Sequence, residues 1–300
     1  MSAISARIER WKRERTLHHG DFPAERLIAE RSESVAVVVP ARECAATIGG
    51  IAETLAGLRE RGAIDEVLVV DADSRDGTGR IAAAAGATVV AESTLLPGFG
   101  PVAGKGDAMW RSLSVVEADV VCFVDGDSGH FGEHFACGVA GPLLLEPGVE
   151  YVKGYFERPF RSGGSVLPAG GGRVTELTAR PLLRRFWPEL AAMLQPLAGE
   201  MAGRRELLCA LPWSTGYAVE TALLLDVYAE TGLFGLAQAD LDVRQNEHKS
   251  LSALAPMADE VLAAVTVRLE RDGRLRLAAG EDVHRPVERP PMASVLAATA

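Results

Sequence analysis

Short runs of β-branched residues alternate with stretches of helical periodicity over the first 125 residues of the chain. Four almost continuously apolar runs are predicted to form strands buried on both faces: 35–39, 66–70, 87–91 and 120–124. Between the first two runs, apolar residues such as Ile48, Ile51 and Leu55 recur at helical spacing. This order of strands and helices predicts βαβ units, and hence an α/β fold with a mostly parallel or mixed sheet flanked by helices.

The remaining sequence is less regular, and we divide the 300 residues into four parts. Helices are predicted at 3–17, 23–31, 181–195, 220–231 and 258–271, and the segment 113–117 is expected to complete a helix. One further strand is predicted at 151–155, before a glycine-rich loop at 163–172. The predicted parts are an N-terminal helical segment (1–32), a nucleotide-sugar-binding half (33–150), a smaller acceptor-binding half (151–255) and a C-terminal helix with its tail (256–300).

Composition and charge exclude several classes of protein. A chain with 48% hydrophobic and 24% charged residues is typical of a folded globular protein. Its net charge of -10 argues against a nucleic-acid partner, because such proteins usually carry a basic face. The apolar runs are shorter than the roughly 20 residues of a membrane span, and the charged N-terminus does not resemble a signal peptide. Four scattered cysteines indicate thiols in a reducing compartment, so we expect a cytoplasmic protein.

Two carboxylates follow the fourth predicted strand, at Asp125 and Asp127. In an extended segment, residues i and i+2 point the same way, so the pair can share one hard cation such as Mg²⁺ or Mn²⁺ with a substrate diphosphate. A solvated turn is the alternative interpretation of the pair taken alone. The position favours a site, because ligands bind at the carboxyl ends of parallel strands.

Two other nucleotide-binding patterns do not fit. The first strand is followed by Pro40-Ala41-Arg42-Glu43 and not by the GxGxxG of a dinucleotide site. The stretch from Gly100 to Lys105 is one residue too short for a P-loop, and Gly106 stands where that loop needs a hydroxyl.

Longer strings resemble one family closely. They are Gly104-Lys105-Gly106-Asp107-Ala108-Met109-Trp110-Arg111-Ser112-Leu113, Gly170-Gly171-Gly172-Arg173-Val174-Thr175-Glu176-Leu177, Leu194-Gln195-Pro196-Leu197-Ala198-Gly199-Glu200, Gly216-Tyr217-Ala218-Val219-Glu220 and Glu288-Arg289-Pro290-Pro291-Met292. Together with Asp125-x-Asp127, these strings resemble the glucosyl-3-phosphoglycerate synthases, which are retaining glycosyltransferases of the GT-A fold. The resemblance covers residues 23 to 292, nearly the whole chain.

The resemblance implies transfer of a hexose, expected to be glucose from UDP-glucose, to 3-phosphoglycerate or a similar small acid, with Mg²⁺ or Mn²⁺ bridging Asp127 and the diphosphate. The catalytic residues it implies are Lys105, Asp127, Glu220 and Arg244. Donor contacts are expected from Pro40, Ala41, Arg42, Glu43, Asp71, Lys105, Asp125, Gly126 and Asp127. Acceptor contacts are expected from Gly172, Arg173, Thr175, Tyr217 and His248. The metal is expected to bind Asp127 and either Asn246 or His248, and the protein is expected to be a homodimer without nucleic-acid or membrane partners.

Three positions depart from the family pattern, mostly on the donor side. Cys44 replaces a nucleoside-contacting glutamate, Ala72 replaces a serine, and Asn246 replaces the metal-binding histidine of an Arg-x-His-x-Asn motif. These changes leave open another donor or acceptor in a specialised pathway, or a non-catalytic protein that binds nucleotide sugars. A further alternative is a nucleotidyltransferase, because a loop of the Lys105 type occurs in that class too. The last would need a glycine-rich phosphate loop after the first strand, and Pro40-Ala41-Arg42-Glu43 is not one.

Overall fold

The computed structural model describes residues 2–157, 160–162, 165–167, 172–244, 250–277 and 284–299. Its strands are β1 (Thr16–His18), β2 (Val35–Ala41), β3 (Glu66–Asp71), β4 (Thr88–Ala91), β5 (Val120–Phe123), β6 (Tyr151–Glu157), β7 (Phe160–Ser162), β8 (Ser165–Leu167), β9 (Met201–Arg204), β10 (Trp213–Ser214), β11 (Leu236–Val243) and β12 (Glu288–Arg289). Its α-helices are α1 (Ala3–Arg15), α2 (Ala24–Glu30), α3 (Ile48–Glu60), α4 (Thr78–Ala84), α5 (Lys105–Ser112), α6 (Glu133–Leu145), α7 (Arg180–Phe186), α8 (Arg205–Ala210), α9 (Val219–Thr231), α10 (Leu251–Arg271) and α11 (Met292–Thr299).

Eight strands form the central sheet, in the order β1-β11-β6-β9-β5-β2-β3-β4. Strand β9 is antiparallel to both of its neighbours, and the other pairs in this sheet are parallel. Successive residues of β2 are buried on opposite faces: Val37 packs with α3 and α6, and Val38 packs with α5 and α9. The near-continuous apolar runs are therefore explained by helices on both faces, and the expected mixed α/β fold is confirmed.

Several element predictions were wrong. Strands β1, β9 and β11 were not predicted, and β1 places the N-terminal segment in the main sheet by pairing with β11. Helix α6 was missed because it is apolar almost all round, which removes the amphipathic pattern. The segment 113–117, expected to complete a helix, lies beyond the end of α5. Helix α7 ends at Phe186, well short of the predicted end at 195. The next residue, Trp187, precedes a proline, and a residue in that position disfavours helical conformation. Helix α10 begins at Leu251, before the predicted start at 258, and continues through Pro256.

The register of the sheet aligns the strand ends that carry the candidate site. Ala41 of β2 pairs with Asp71 of β3, which pairs with Ala91 of β4. The central sheet contains strands from the first three predicted parts of the chain. The proposed division at 32, 150 and 255 therefore stays a prediction about which residues bind which substrate. None of the described helices is both long and apolar enough to cross a membrane.

Candidate active site

A cavity of about 560 Å³ opens at the carboxyl ends of β2 and β5, two neighbours in the middle of the sheet. The N-terminus of α5 reaches it from one side, and residues from α9 and α10 line it from another. Thirteen of the predicted site residues line this cavity: Pro40, Ala41, Arg42, Lys105, Asp125, Gly126, Asp127, Gly172, Arg173, Thr175, Tyr217, Glu220 and Arg244. Residues that are up to 204 positions apart in the sequence thus meet at one place.

Four predicted residues are not among those lining the cavity. Glu43 Oε1 accepts a hydrogen bond from Arg75 N at 2.9 Å, and Asp71 Oδ1 accepts one from Ser74 N at 3.3 Å. Both carboxylates therefore stabilise the turn after β3, and their predicted contacts with the donor stay predictions. Asn246 and His248 fall within 245–249, outside the described residues.

Lys105 lies at the first position of α5 and joins two carboxylates. Its Nζ is 2.6 Å from Asp125 Oδ1 and 3.0 Å from Glu220 Oε1. Burial alone lowers the pKa of Lys105, but the two anions outweigh burial and raise it above its usual value. The side chain is therefore a fixed ammonium ion at the cavity wall.

Arg244 follows β11 and connects the two carboxylates of the Asp-x-Asp motif. Its Nη2 is 2.9 Å from Asp125 Oδ2 and 3.0 Å from Asp127 Oδ1. Burial tends to raise the pKa of Asp125, but Lys105 and Arg244 bring it well below its usual range. The Asp127 side chain is 67% exposed, whereas that of Asp125 is 23% exposed. Asp127 thus presents its carboxylate at the mouth of the cavity, while Asp125 is held between two cations.

Two charged residues of this region were missed from the sequence. Glu200 is completely buried, and its Oε1 is 2.5 Å from Arg244 Nη1, while its Oε2 has no hydrogen-bond partner among the described residues. Burial raises the pKa of Glu200. Lys153 is 1% exposed and donates a hydrogen bond to the Ala198 carbonyl at 2.5 Å. Neither residue follows a strand whose end was predicted to carry the site. Glu200 is, however, the last residue of the string 194–200 that resembles the family.

The glycine before Glu200 has a steric reason to be a glycine. A Cβ at Gly199 would lie 2.5 Å from Asp125 Oδ2 and 2.7 Å from Lys105 Nζ. Any larger residue would push apart the ion pair at the cavity wall. The loop 194–200 thereby packs its backbone directly against the charged side chains.

Three of the predicted acceptor residues, Gly172, Arg173 and Thr175, line the cavity within one short segment of the chain. Gly172 has a φ of +74°, which favours glycine, and its carbonyl accepts a hydrogen bond from Glu176 N at 2.9 Å. A π-helical turn, Thr175–Ala179, follows, and such turns are frequent at functional sites. Thr175 is buried, and Arg173 is half-buried at the cavity surface.

The described residues contain no cluster of three or more histidine, cysteine, aspartate or glutamate side chains arranged to hold a metal ion. Of the predicted metal ligands, Asp127 lies within the residues that the structure describes. Its exposed carboxylate supplies oxygen, the donor type that Mg²⁺ and Mn²⁺ prefer. A hard cation fits this residue if a diphosphate and one residue from 245–249 complete its shell.

Known proteins of similar sequence are glycosyltransferases. The chain is 44% identical over 240 residues to a glucosyl-3-phosphoglycerate synthase of Mycolicibacterium smegmatis, covering 80% of this chain and 79% of the relative. It is 40% identical to the synthase of Mycobacterium tuberculosis, over 80% and 75% of the two chains. The chain belongs to the glucosyl-3-phosphoglycerate synthase family. No protein-family model matches it.

Solved structures agree with this family assignment. A mannosyl-3-phosphoglycerate synthase from Rubrobacter xylanophilus superposes with a TM-score of 0.88 at 43% identity, covering 96% of this chain and 98% of that one. The Mycobacterium tuberculosis glucosyl-3-phosphoglycerate synthase, in complex with Mn²⁺, UDP-glucose and phosphoglyceric acid, has a TM-score of 0.81 at 37% identity, covering 94% and 98%. The predicted GT-A fold and the predicted glycosyltransferase class are therefore confirmed.

Proposed function

We propose that this protein transfers a hexose with retention from a nucleoside diphosphate hexose to 3-phosphoglycerate, with glucose from UDP-glucose as the first donor to test. The observation that carries the proposal is the meeting of Lys105, Asp125 and Asp127 with Arg173 and Thr175 around one cavity. The names of the relatives share 3-phosphoglycerate as their acceptor. Most of them specify glucose, and the Rubrobacter structure specifies mannose, so the acceptor has broader support than the sugar.

On the donor side, the cation of Lys105 lies where a diphosphate can approach it. An ammonium ion already paired with Asp125 and Glu220 is held in place before substrate binds, so little reorganisation is needed when negative charge develops on the leaving diphosphate. Glu220 supports this role by fixing Nζ from the other side. Arg244 fixes the orientation of both carboxylates of the Asp-x-Asp motif.

A divalent ion, Mg²⁺ or Mn²⁺, would be held by Asp127 together with Asn246 or His248. When bound, such an ion supplies positive charge that stabilises a leaving diphosphate. Asn246 offers an amide oxygen and His248 an imidazole nitrogen, and both are acceptable donors. Manganese titrations of Asn246→Ala and His248→Ala distinguish the two, because loss of the true ligand weakens metal binding.

On the acceptor side, Arg173 would hold the phosphate or carboxylate of the acid through two parallel N–H donors. The Thr175 hydroxyl, the backbone at Gly172, Tyr217 and His248 would complete this subsite. Glu220, the carboxylate that the resemblance places near the transferred sugar, is paired with Lys105 and is therefore not expected to act as a covalent nucleophile. We therefore expect front-face attack, in which the leaving phosphate takes the proton of the incoming hydroxyl.

The expected cellular context also belongs to this proposal. The residues 33–150 would bind the donor and 151–255 the acceptor. A homodimer in the cytoplasm is expected from the sequence. Sedimentation of the purified protein measures the oligomeric state directly.

The test is an activity assay with purified protein, UDP-glucose and 3-phosphoglycerate, with and without Mn²⁺. The expected result is acceptor-dependent release of UDP and a glycosylated acid whose anomeric configuration, read by NMR, matches that of the donor. A second reaction supplies UTP and glucose 1-phosphate, and pyrophosphate release there would favour a nucleotidyltransferase. Nucleotide-sugar binding without product in any reaction would favour the non-catalytic alternative.

A further inference from the structure

Lys153 is a buried lysine that has no role in the proposed function. It is 1% exposed and is not among the residues that line the cavity. Its Nζ donates a hydrogen bond to the Ala198 carbonyl at 2.5 Å and lies 3.7 Å from Met201 Sδ. Among the described residues, no carboxylate is hydrogen-bonded to it, whereas a fully buried lysine is normally paired with an anion. The position of this ammonium ion therefore calls for an explanation.

The strand pattern places Lys153 under the charged wall of the cavity. Tyr151 and Lys153 are two residues apart on β6, so their side chains point to the same face of the sheet. Tyr151 packs there with residues of α5 and α9. Lys105 is the first residue of α5, and Glu220 is the second residue of α9. The Lys153 side chain is thus buried on the face covered by the two helices that carry Lys105 and Glu220.

A single peptide unit separates the ammonium group of Lys153 from the ion pair at the cavity wall. The carbonyl of Ala198 accepts the hydrogen bond from Lys153, and the next residue is Gly199. A Cβ at Gly199 would lie 2.7 Å from Lys105 Nζ and 2.5 Å from Asp125 Oδ2. The charge of Lys153 is therefore held close to the wall without occupying space in the cavity.

The charges that act most on Lys153 come from four other elements. They are Glu220 of α9, Lys105 of α5, Glu200 before β9 and Asp125 after β5. On the remaining side, β11 places the uncharged Gln238 opposite Lys153, and the Tyr151 phenol is neutral because burial raises its pKa. Burial lowers the pKa of Lys153 to about 8, Lys105 lowers it further, and the three carboxylates oppose the shift. The side chain is mostly protonated at neutral pH and loses its proton just above it.

The charged side chains at the cavity wall contain an excess of carboxylates. In the part of the chain that the structure describes, ion pairs join two cations to four carboxylates: Lys105 and Arg244 to Asp125, Asp127, Glu200 and Glu220. Burial raises the pKa of Glu200, but even a protonated Glu200 leaves one carboxylate in excess. A diphosphate adds further negative charge, so its binding is favoured by any positive charge held nearby.

Building on the proposed function, we propose that Lys153 is a positioning residue of the donor site, whose buried ammonium ion offsets this excess of carboxylates and favours the binding of a nucleoside diphosphate. Lys153 does not touch the nucleotide and acts through the charged wall formed by Lys105 and Asp125. Linked equilibria are reciprocal, so if the protonated form of Lys153 favours the nucleotide, the nucleotide must favour the protonated form. Above pH 8, binding therefore transfers a proton from the solvent to Lys153 Nζ, and no bond of the nucleotide changes.

The test is isothermal titration calorimetry of the natural protein with UDP and Mg²⁺ at pH 8.5, in two buffers that differ in ionisation enthalpy. If UDP binds the protonated form about tenfold more tightly, the pKa rises by about one unit on binding, and roughly half a proton is taken up per UDP. The Kd for UDP should then rise about fivefold to tenfold between pH 7 and pH 9.5. The phosphates of UDP are already ionised at pH 8.5, since the second pKa of a phosphate is about 6.

Variants assign the proton to Lys153. Lys153→Met should bind UDP without this uptake, and its Kd should be about tenfold higher than that of the natural protein at pH 7 and should converge with it above pH 9.5. The matched control is Lys12→Met, which removes an exposed lysine paired with Glu9 and should keep the uptake. Glu200→Gln should also keep it, because the proton that is taken up resides on Lys153. Thermal unfolding of each variant checks that it is folded.

The outcomes separate this inference from the proposed function. The role of Lys153 would be overturned by any of three results: no proton uptake by the natural protein, undiminished uptake by Lys153→Met, or uptake that is lost in Glu200→Gln and kept in Lys153→Met. The first result needs no variant and does not depend on whether Lys153→Met folds. If UDP-glucose and 3-phosphoglycerate are still turned over at pH 7, the proposed function stands without this inference. If UDP does not bind at all, both fail.

Discussion

Helix α5 carries two buried ionic clusters, and they differ in how completely their charges are used. The open cluster comprises Lys105, Asp125, Glu200, Glu220 and Arg244. The closed cluster comprises Asp107, Arg111 and Arg289. Lys105 and Asp107 are two residues apart on α5, so one helical turn contributes to both.

The closed cluster is saturated. Asp107 is completely buried and accepts hydrogen bonds from Arg289 Nη2 at 2.6 Å, Arg289 Nε at 2.8 Å and Ala103 N at 2.8 Å. Arg111 adds a bond at 3.3 Å. Burial raises the pKa of Asp107, but these partners together lower it below the usual value. The cluster lies outside the cavity lining and joins the C-terminal strand β12 to α5.

The open cluster uses the same residue types but faces the cavity. Four of its members, all except Glu200, line the cavity, and Glu200 Oε2 has no hydrogen-bond partner among the described residues. Removing one partner of a buried ion pair such as those of the closed cluster destabilises the fold, whereas charged groups with shifted pKa values beside a cavity are candidates for a functional site. Burial of charge alone therefore does not identify a site, and access for a ligand is needed as well.

The largest effect is expected at the mouth of the open cluster. Asp127→Ala should lower kcat/KM by about a thousandfold, near 4 kcal/mol, because the diphosphate loses its metal-bridged contact. Removing metal with EDTA should abolish transfer, and Mg²⁺ or Mn²⁺ should restore it. The measurement is initial-rate kinetics, with thermal unfolding to check the fold.

The control for this prediction is Asp272→Ala, which removes an aspartate at the far end of α10 and should keep full activity. Full activity of Asp127→Ala in metal-free buffer would contradict the mechanism and would make the open cluster as structural as the closed one.

Next in size is the closed cluster, where the loss should be of stability and not of chemistry. Asp107→Ala leaves the guanidinium groups of Arg111 and Arg289 buried without their anion, so the free energy of unfolding should fall by about 3–5 kcal/mol. Urea denaturation measures this. Glu14→Ala, which breaks an exposed pair with Arg10, is the matched control and should hardly move the midpoint. If Asp107→Ala lowered the affinity for nucleotide but left the free energy of unfolding unchanged, Asp107 would belong to the site instead.

The residues of the open cluster differ in how visible they are in the sequence. Lys105, Asp125 and Asp127 could be predicted because they follow strands or glycines of a recognisable pattern. Glu200 and Lys153 were not predicted. Glu200 lies just before the short strand β9. Lys153 lies within the strand predicted at 151–155, but the apolar pattern gives no sign that this lysine is buried beside the site. The antiparallel strand β9 was itself missed, and its four residues are too few to give a signal. Tertiary pairing, rather than local pattern, determines these positions.

Glu43 and Asp71 are not among the residues lining the cavity, and their predicted contacts with the donor stay predictions. Both lie at strand ends, which is where ligands bind, but the turn at 71–77 draws their carboxylates to backbone N–H groups. Asp71 accepts from a backbone N–H three residues on, as short polar side chains in turns often do, and Glu43 accepts from Arg75 N of the same turn. Local sequence does not distinguish such carboxylates from ones that face a ligand.

A smaller effect, dependent on pH, is expected at Lys153 beside the open cluster. Burial lowers the pKa of Lys153 from 10.5 to about 8, although Glu220 opposes the shift. Below pH 8 the folded protein carries a buried ammonium ion at a cost, and between pH 8 and 10.5 the unfolded chain binds more protons than the folded one. Stability from this group therefore rises with pH across that window, by about 3 kcal/mol at about 1.4 kcal/mol per pKa unit.

The measurement for Lys153 is the free energy of unfolding of the natural protein minus that of Lys153→Met, at pH values from 7 to 10.5. Other groups titrate in both proteins, so their contributions cancel in the difference. A difference that stays flat over this range would mean that Lys153 keeps its proton, and that the open cluster holds a third permanent cation.

The smallest effect is expected at Arg173, a cation that lines the cavity but belongs to neither cluster. Arg173→Ala should raise the KM for 3-phosphoglycerate about tenfold to a hundredfold, since one charge-assisted contact contributes about 1.5–3 kcal/mol. The Kd for UDP should change less than threefold, because the proposed donor contacts are at the ends of β2 and β5. Arg173→Lys keeps the charge but loses the paired N–H geometry, so it should recover only part of the loss. Calorimetry that finds UDP weakened and the acceptor unaffected would place Arg173 with the donor, and the proposed acceptor subsite would then lose its cation.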